Sequence, residues 1–361
     1  DYGGSGCGLH RSYDGGNTWE ELGGGLPTGA NIGRIGIGIS PSNPNILYAI
    51  YSNKIGYFSG LFKSEDGGDT WTQTNDNALT NIYASYGWWF GRLKIDPQDA
   101  QVVYAIGFDL FKTINGGDSW SDITGSAHVD QHEIAVSPEN SNNVFLANDG
   151  GLYLSDNGGQ SWMHHNNLPI TQFYTCAIDE AAPYRLYGGA QDNGTNRTLS
   201  GNPNTWASIY GGDGFYCLID PNNSQYVYAE YQYGNFVRST NYGSSFTYAT
   251  SGISSSDRKN WNTPVVMNPS NSSSLYYGAN RLYKSINKAV NWQVISDDLT
   301  NAQTAGNQIF ATITTISVSA ADTNYIYVGT DDANVWMTNN NGEDWMKISD
   351  DLPQRWISRV V

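Results

Sequence analysis

The strongest constraint on this chain is a repeat. An eight-residue pattern, Ser/Thr-x-Asp/Asn-x-Gly-x-Thr/Ser-Trp, runs from Ser12 through Asp14 and Gly16 to Trp19 and again from Ser64 through Asp66 and Gly68 to Trp71. It returns at Thr113 to Trp120 with Asn115, and at Ser155 to Trp162 with Asn157. Softer copies run from Ser239 to Phe246 around Asn241, Ser285 to Trp292 around Asn287, and Thr338 to Trp345 around Asn340. A broken copy ends at Thr205-Trp206. A fixed period of this kind is the mark of a repeat architecture.

A second pattern interleaves with the first. An apolar residue, a small polar residue and often Pro precede an aromatic by seven positions, as in Ile39-Ser40-Pro41 to Tyr48. The aromatics are Tyr48, Tyr104, Phe145, Tyr187, Tyr228, Tyr276 and Tyr327, spaced 56, 41, 42, 41, 48 and 51 residues apart. Each unit holds four strand-like runs, in the second unit 92–95, 102–106, 110–113 and 119–123. Four antiparallel strands per unit, repeated radially, predict an all-β fold, a β-propeller of four-stranded blades. Seven units fit within 26–354. Residues 1–25 carry the last two strands of a preceding blade, and 355–361 the first strand of a following one. These partial blades imply further domains of a longer chain.

The boxed turn has a structural explanation. Its Asp or Asn bonds nearby backbone, its Gly accepts positive φ, and its Trp packs between sheets. Asp14, Asp66, Asn115, Asn157, Asn241, Asn287 and Asn340 are therefore read as structural, with Trp19, Trp71, Trp120, Trp162, Trp292 and Trp345. Catalysis needs one pair of acids, not one in every blade.

The box resembles the Asp-box, or BNR repeat, of sialidases, sortilin-type receptors and the xyloglucan-cleaving glycoside hydrolases built from two propellers. The wording of the repeats is most similar to large secreted bacterial proteins of sortilin-like or glycosyl-hydrolase-like type, and the resemblance implies an extracellular or cell-surface location. It specifies fold more than function. Sialidases carry an Arg-Ile-Pro motif, which Arg34-Ile35-Gly36 breaks. Gly212-Asp213-Gly214-Phe215 only faintly resembles the Gly-Asp-x-x-Gly-Phe segment of the xyloglucan-cleaving enzymes.

Counting eight residues back from the Pro position reaches the loop entering each innermost strand, at Gly33, Trp89, Asp130, Gln172, Asp213, Trp261 and Thr312. The loops after the second strands add Asp149, Asp192, Glu230, Asp331 and Asp332, with Tyr86, Trp88, His128 and His132 nearby. Acids among aromatics suit carbohydrate, because flat rings stack on sugar faces and carboxylates bond hydroxyls. Asp130 and Asp213 are the candidate catalytic pair of a glycoside hydrolase, which needs two carboxylates. Trp88, Trp89, Trp261, Asp149, Asp192 and Glu230 are candidate polysaccharide-binding residues. The plainer alternative is that Asp130 and Asp213 cap turns or face water. Two functional alternatives also stand: a sortilin-like propeller holding a peptide or protein, and a ligand-free spacer of a surface protein.

Lys and Arg total 18 against 34 Asp and Glu, a net charge of −16. Such a chain repels phosphate backbones and anionic lipid, which argues against nucleic-acid partners. No apolar run reaches the roughly 18 residues of a membrane span. No cofactor or metal is expected. Asn148-Asp149-Gly150 and Thr330-Asp331-Asp332 are the candidate calcium loops, and neither spells the EF-hand pattern. Cys176 and Cys217 share one register, otherwise apolar, and are expected to be buried thiols.

Overall fold

Each boxed turn closes on itself through bonds that span four residues or fewer. In the computed structural model, Ser64 Oγ donates to Asp66 Oδ1 at 2.8 Å and accepts the Gly68 N–H at 2.9 Å. Asp66 in turn accepts the Thr70 N–H at 2.9 Å and the Thr70 hydroxyl at 2.6 Å. The Asn versions reverse one donor: Asn157 Oδ1 accepts the Ser161 N–H at 3.0 Å while its Nδ2 donates to Ser161 Oγ at 2.8 Å. In these two copies Asp and Asn build the same turn because the residue four positions on supplies a hydroxyl that both donates and accepts. Gly68, at φ +101°, sits where a side chain would be strained.

These turns join the third and fourth strands of antiparallel meanders. The structure describes residues 3–166, 168, 170–304 and 309–361; residues 1 and 2 of the segment 1–25 lie outside that set. Among the described residues there are seven four-stranded antiparallel sheets and one two-stranded sheet, His10–Arg11 with Glu20–Glu21. The sheet Arg92–Ile95, Val103–Ile106, Leu110–Thr113 and Ser121–Asp122 is typical, and agrees with the runs read from sequence. The fold is all-β, with blades of propeller type.

The chain divides into two compact units, Asp1–Ile170 and Thr171–Val361. Unit 1 holds the two-stranded sheet and three four-stranded ones, whose first strands are Ile32–Ile39, Arg92–Ile95 and Gln131–Val136. Unit 2 holds four sheets, with first strands Phe173–Ile178, Leu218–Ile219, Val265–Asn268 and Ile313–Val318. Within unit 1, the first strands of consecutive sheets lie side by side.

Both sequence patterns serve the joints between neighbouring sheets of a unit. Tyr48, fully buried, donates its hydroxyl to the Ala100 carbonyl of the next sheet at 3.0 Å, and Tyr187 reaches Tyr242 O at 3.3 Å. The small polar residue adds a second bond: Ser141 Oγ donates to Asp96 Oδ1, and Ser224 Oγ to Asp179 Oδ1, both at 2.7 Å. Lys288 pairs with Asp220 in the same way across unit 2. Three box tryptophans dock backward, Trp162 Nε1 donating to Ile123 O, Trp292 Nε1 to Ala249 O and Trp345 Nε1 to Ile295 O, while Trp71 Nε1 donates to Gly68 O of its own turn. Phe145 breaks the pattern at 46% exposure, and Tyr327 is half-buried; each lies in the last sheet of its unit. Trp19, on the two-stranded sheet, is likewise exposed, with its indole N–H turned back to Gly16 O.

The shared register of the two cysteines does not give them the same surroundings. Cys217 is buried, and burial pushes its thiol up to about 12, whereas Cys176 is exposed. Cys176 lies on a strand whose outer face, with Ile178, is uncovered within its unit, so the apolar register alone misplaced it. Both are free thiols.

Candidate functional site

In unit 1 the residues marked by sequence gather around one loop. Between Thr72–Gln73 and Arg92–Ile95 the chain runs through a short 3-10 helix, Asn77–Leu79, and turns, with Leu79, Ile82, Tyr83 and Phe90 buried and Tyr86 and Trp89 exposed. The loop is seated on a neighbouring hairpin. Gly87 N–H donates to Gly56 O at 2.7 Å. Gly56, at φ +117°, has no room for a Cβ, which would lie 2.1 Å from Ser85 O. Arg34, on the first strand of the preceding sheet, donates to Trp89 O at 2.8 Å and to Trp88 O at 3.3 Å.

This seating fixes an aromatic platform. Ring centroids are 6.0 Å apart for Tyr86 and Trp88 and 6.1 Å for Trp88 and Trp89. Trp89 is 56% exposed, and its ring meets that of His132 at 6.0 Å with the planes at 88°. His132 stacks on Phe90 and holds its Nε2 at 2.6 Å from Asp149 Oδ1. Asp130, at φ +66°, places a carboxylate oxygen within 4.8 Å of one on Asp149. A flat indole, an imidazole and two carboxylates therefore share one rim, which can stack on a sugar ring and bond its hydroxyls. Two carboxylates so close together could also offer oxygens to a hard cation.

Unit 2 carries a second aromatic group. Trp261, 36% exposed, meets Tyr233 at 5.1 Å with ring planes at 90° and Phe215 at 6.0 Å. Tyr233 takes positive φ and donates its N–H to Trp261 O at 3.0 Å.

The acids of unit 2 do different work from that expected. Asp213 is 5% exposed, and its Oδ1 accepts the Asp192 N–H at 2.7 Å, holding that residue at φ +58°. A buried carboxylate committed to a main-chain donor is a loop brace, not a group open to substrate. Asp192 itself sits half-buried on the turn so braced. Glu230 lies within the strand Val227–Tyr231, not in the loop after it, and is fully buried, so it cannot contact a polysaccharide. The candidate calcium loop at 330–332 is filled by protein donors. Asp331 accepts the Phe310 and Thr312 N–H groups at 2.6 and 2.8 Å, and Asp332 accepts Asn301 N–H at 2.6 Å.

Sequence reasoning singled out Trp88, Trp89, Asp130, Asp149 and Trp261 but missed the function of Arg34 and the pairing of His132 with Asp149. An arginine within a glycine-rich strand, Ile32-Gly33-Arg34-Ile35-Gly36, was the available signal for the first. The second needed the fold, because 17 residues separate the partners.

No protein-family model matches the chain, and no curated protein matches it. Among solved structures it is similar to the GH74 enzyme of Niastella koreensis, at 15% identity over 89% of this chain and 60% of that one, with a TM-score of 0.32. It is also similar to the GH74 xyloglucanase from Xanthomonas campestris, at 15% identity over 89% of this chain and 53% of that one, with a TM-score of 0.37. A third is YCF48 from Cyanidioschyzon merolae, at 14% identity over 81% and 91% of the two chains, with a TM-score of 0.30. The chain thus spans 60% and 53% of the two GH74 chains.

Proposed function

We propose that this chain is a carbohydrate-engaging module of a secreted Asp-box protein, and that it binds polysaccharide on the Tyr86–Trp88–Trp89 platform of unit 1. The observation that carries this reading is the indole of Trp89, more than half exposed on a loop fixed by Arg34 and Gly56. An exposed aromatic held at this cost in loop geometry is what a stacking surface needs and a spacer does not. His132, Asp149 and Asp130 border the ring and supply hydroxyl partners. A peptide-holding channel would instead bury its tryptophans.

Hydrolysis is a second reading, and one observation favours it. Glycoside hydrolysis needs two carboxyl groups beside the bound sugar, and Asp130 and Asp149 bring theirs together next to His132 and Trp89. The pair that suits this chemistry is Asp130 with Asp149, because Asp213 is withdrawn into the protein.

Affinity electrophoresis in soluble β-glucans and a glycan array, run on wild type and Trp89→Ala, test the binding reading. Retardation of wild type that Trp89→Ala abolishes supports it; equal behaviour of the two, or no binding to any glycan, removes it. A reducing-end assay with Asp130→Asn and Asp149→Asn tests hydrolysis separately. Absence of product from wild type ends that reading and leaves binding untouched.

A further inference from the structure

Glu230 is the one fully buried carboxylic acid whose second oxygen has no partner among the described residues. Its Oε1 accepts the Thr263 N–H at 2.9 Å. Thr263 follows Trp261 by two positions, and its hydroxyl donates at 2.9 Å to the carbonyl of Asn260, the residue before Trp261. Asn260 is tied in turn to Thr312 Oγ1 at 2.9 Å. The main-chain carbonyl of Glu230 also accepts the Phe215 N–H at 3.1 Å, and Phe215 is one of the two rings that Trp261 leans against.

We propose that Glu230 is a positioning residue for Trp261, setting the indole through the bond its carboxyl accepts from the Thr263 N–H, two residues beyond the indole. The inference deepens the carbohydrate reading, since it makes unit 2 a second stacking position, and it rests on that reading only for its binding arm.

The state of the carboxyl follows from its surroundings. Burial pushes it well above the ordinary carboxylate range, and the Thr263 N–H opposes this only in part. The titratable groups that share its field are Tyr216, in the loop entering Leu218–Ile219, and Tyr277, on Asn271–Gly278. Both are tyrosines pushed up by burial, and Arg359 acts on Tyr216. Burial therefore favours the neutral carboxyl, and ionising it places a poorly compensated charge in the interior next to the Thr263 N–H.

The test follows Trp261 itself, as the difference in emission and iodide quenching between each protein and its Trp261→Phe counterpart. In wild type, quenching of Trp261 rises as pH is taken into the alkaline range. Glu230→Gln, which keeps the acceptor for Thr263 and cannot ionise, holds quenching flat over the same range. Glu230→Leu, which removes the acceptor, raises quenching at every pH and weakens β-glucan binding about tenfold, the effect of losing roughly one buried hydrogen bond. An alkaline course in Glu230→Gln identical to wild type, or unchanged quenching in a folded Glu230→Leu, overturns the proposal. If Glu230→Leu does not fold, the comparison of wild type with Glu230→Gln decides alone. Should no variant bind glycan while the quenching results hold, the positioning assignment stands and the carbohydrate reading falls.

Discussion

The guanidinium of Arg34 donates to the main-chain carbonyl of Trp89 at 2.8 Å, across the joint between two neighbouring sheets. The side chain that the broken Arg-Ile-Gly segment contributes is thus a clamp on the aromatic loop, not a hand for a substrate carboxylate. Hydrogen bonds from a charged donor are worth about 1.5–3 kcal/mol, and partial exposure of this one points to the lower end. Arg34→Ala should lower β-glucan affinity about tenfold, read by isothermal titration. Unchanged affinity would mean that the loop is set by Gly56 and its buried residues alone.

Trp89 separates binding from stability. Its ring is largely in water, and surface substitutions usually fall within about 0.5 kcal/mol. Trp89→Ala should therefore unfold at nearly the wild-type temperature in calorimetry while losing retardation in β-glucan gels. A large drop in melting temperature would show the indole to be a packing element instead.

Acid should weaken the two Asp boxes. The Thr70 hydroxyl and N–H, with Ser64, hold the Asp66 carboxyl well below its ordinary value, and the Thr18 N–H and hydroxyl lower Asp14 to about 2. A depressed folded value means stability that is present above the unfolded value near about 4 and is lost as pH falls through the folded one. Asp66→Asn builds the turn with an amide, as Asn157 does, and has no such charge to lose. Melting curves between about pH 4 and pH 2 should show a shallower acid slope for Asp66→Asn than for wild type. Parallel slopes would place the acid sensitivity elsewhere.

The joint aromatics should divide by position. Tyr48→Phe removes a buried hydroxyl bonded to Ala100 O and should cost about 1 kcal/mol in urea denaturation. Tyr48→Ala adds the cavity, for about 3–5 kcal/mol. Tyr327, half-buried in the last sheet of unit 2, should tolerate Phe within about 0.5 kcal/mol. Equal costs at both positions would contradict the reading of Tyr48 as a sheet-to-sheet tie.

The meanders were legible in the sequence because the contacts that make them are short-range. Ser64, Asp66, Gly68 and Thr70 satisfy one another within a span of seven residues, so their order along the chain is already their geometry. The same holds for Trp89, whose exposure follows from a large ring in a loop whose buried places are taken by Tyr83 and Phe90. Glu230 and Asp213 were not legible in this way. Their register marked them as rim acids, yet whether a carboxyl meets water or a main-chain N–H depends on the neighbouring segment, Thr263 for one and Asp192 for the other. Cys176 and Cys217, alike in register, part for the same reason. Sequence by itself determined the blades, their turns and the aromatic ties between them, since propensity and hydrogen bonding act locally. Only tertiary structure decided which acids gather half-buried beside His132 and Trp89 and which brace loops, because burial is a property of what packs alongside, and no residue carries that in its own name.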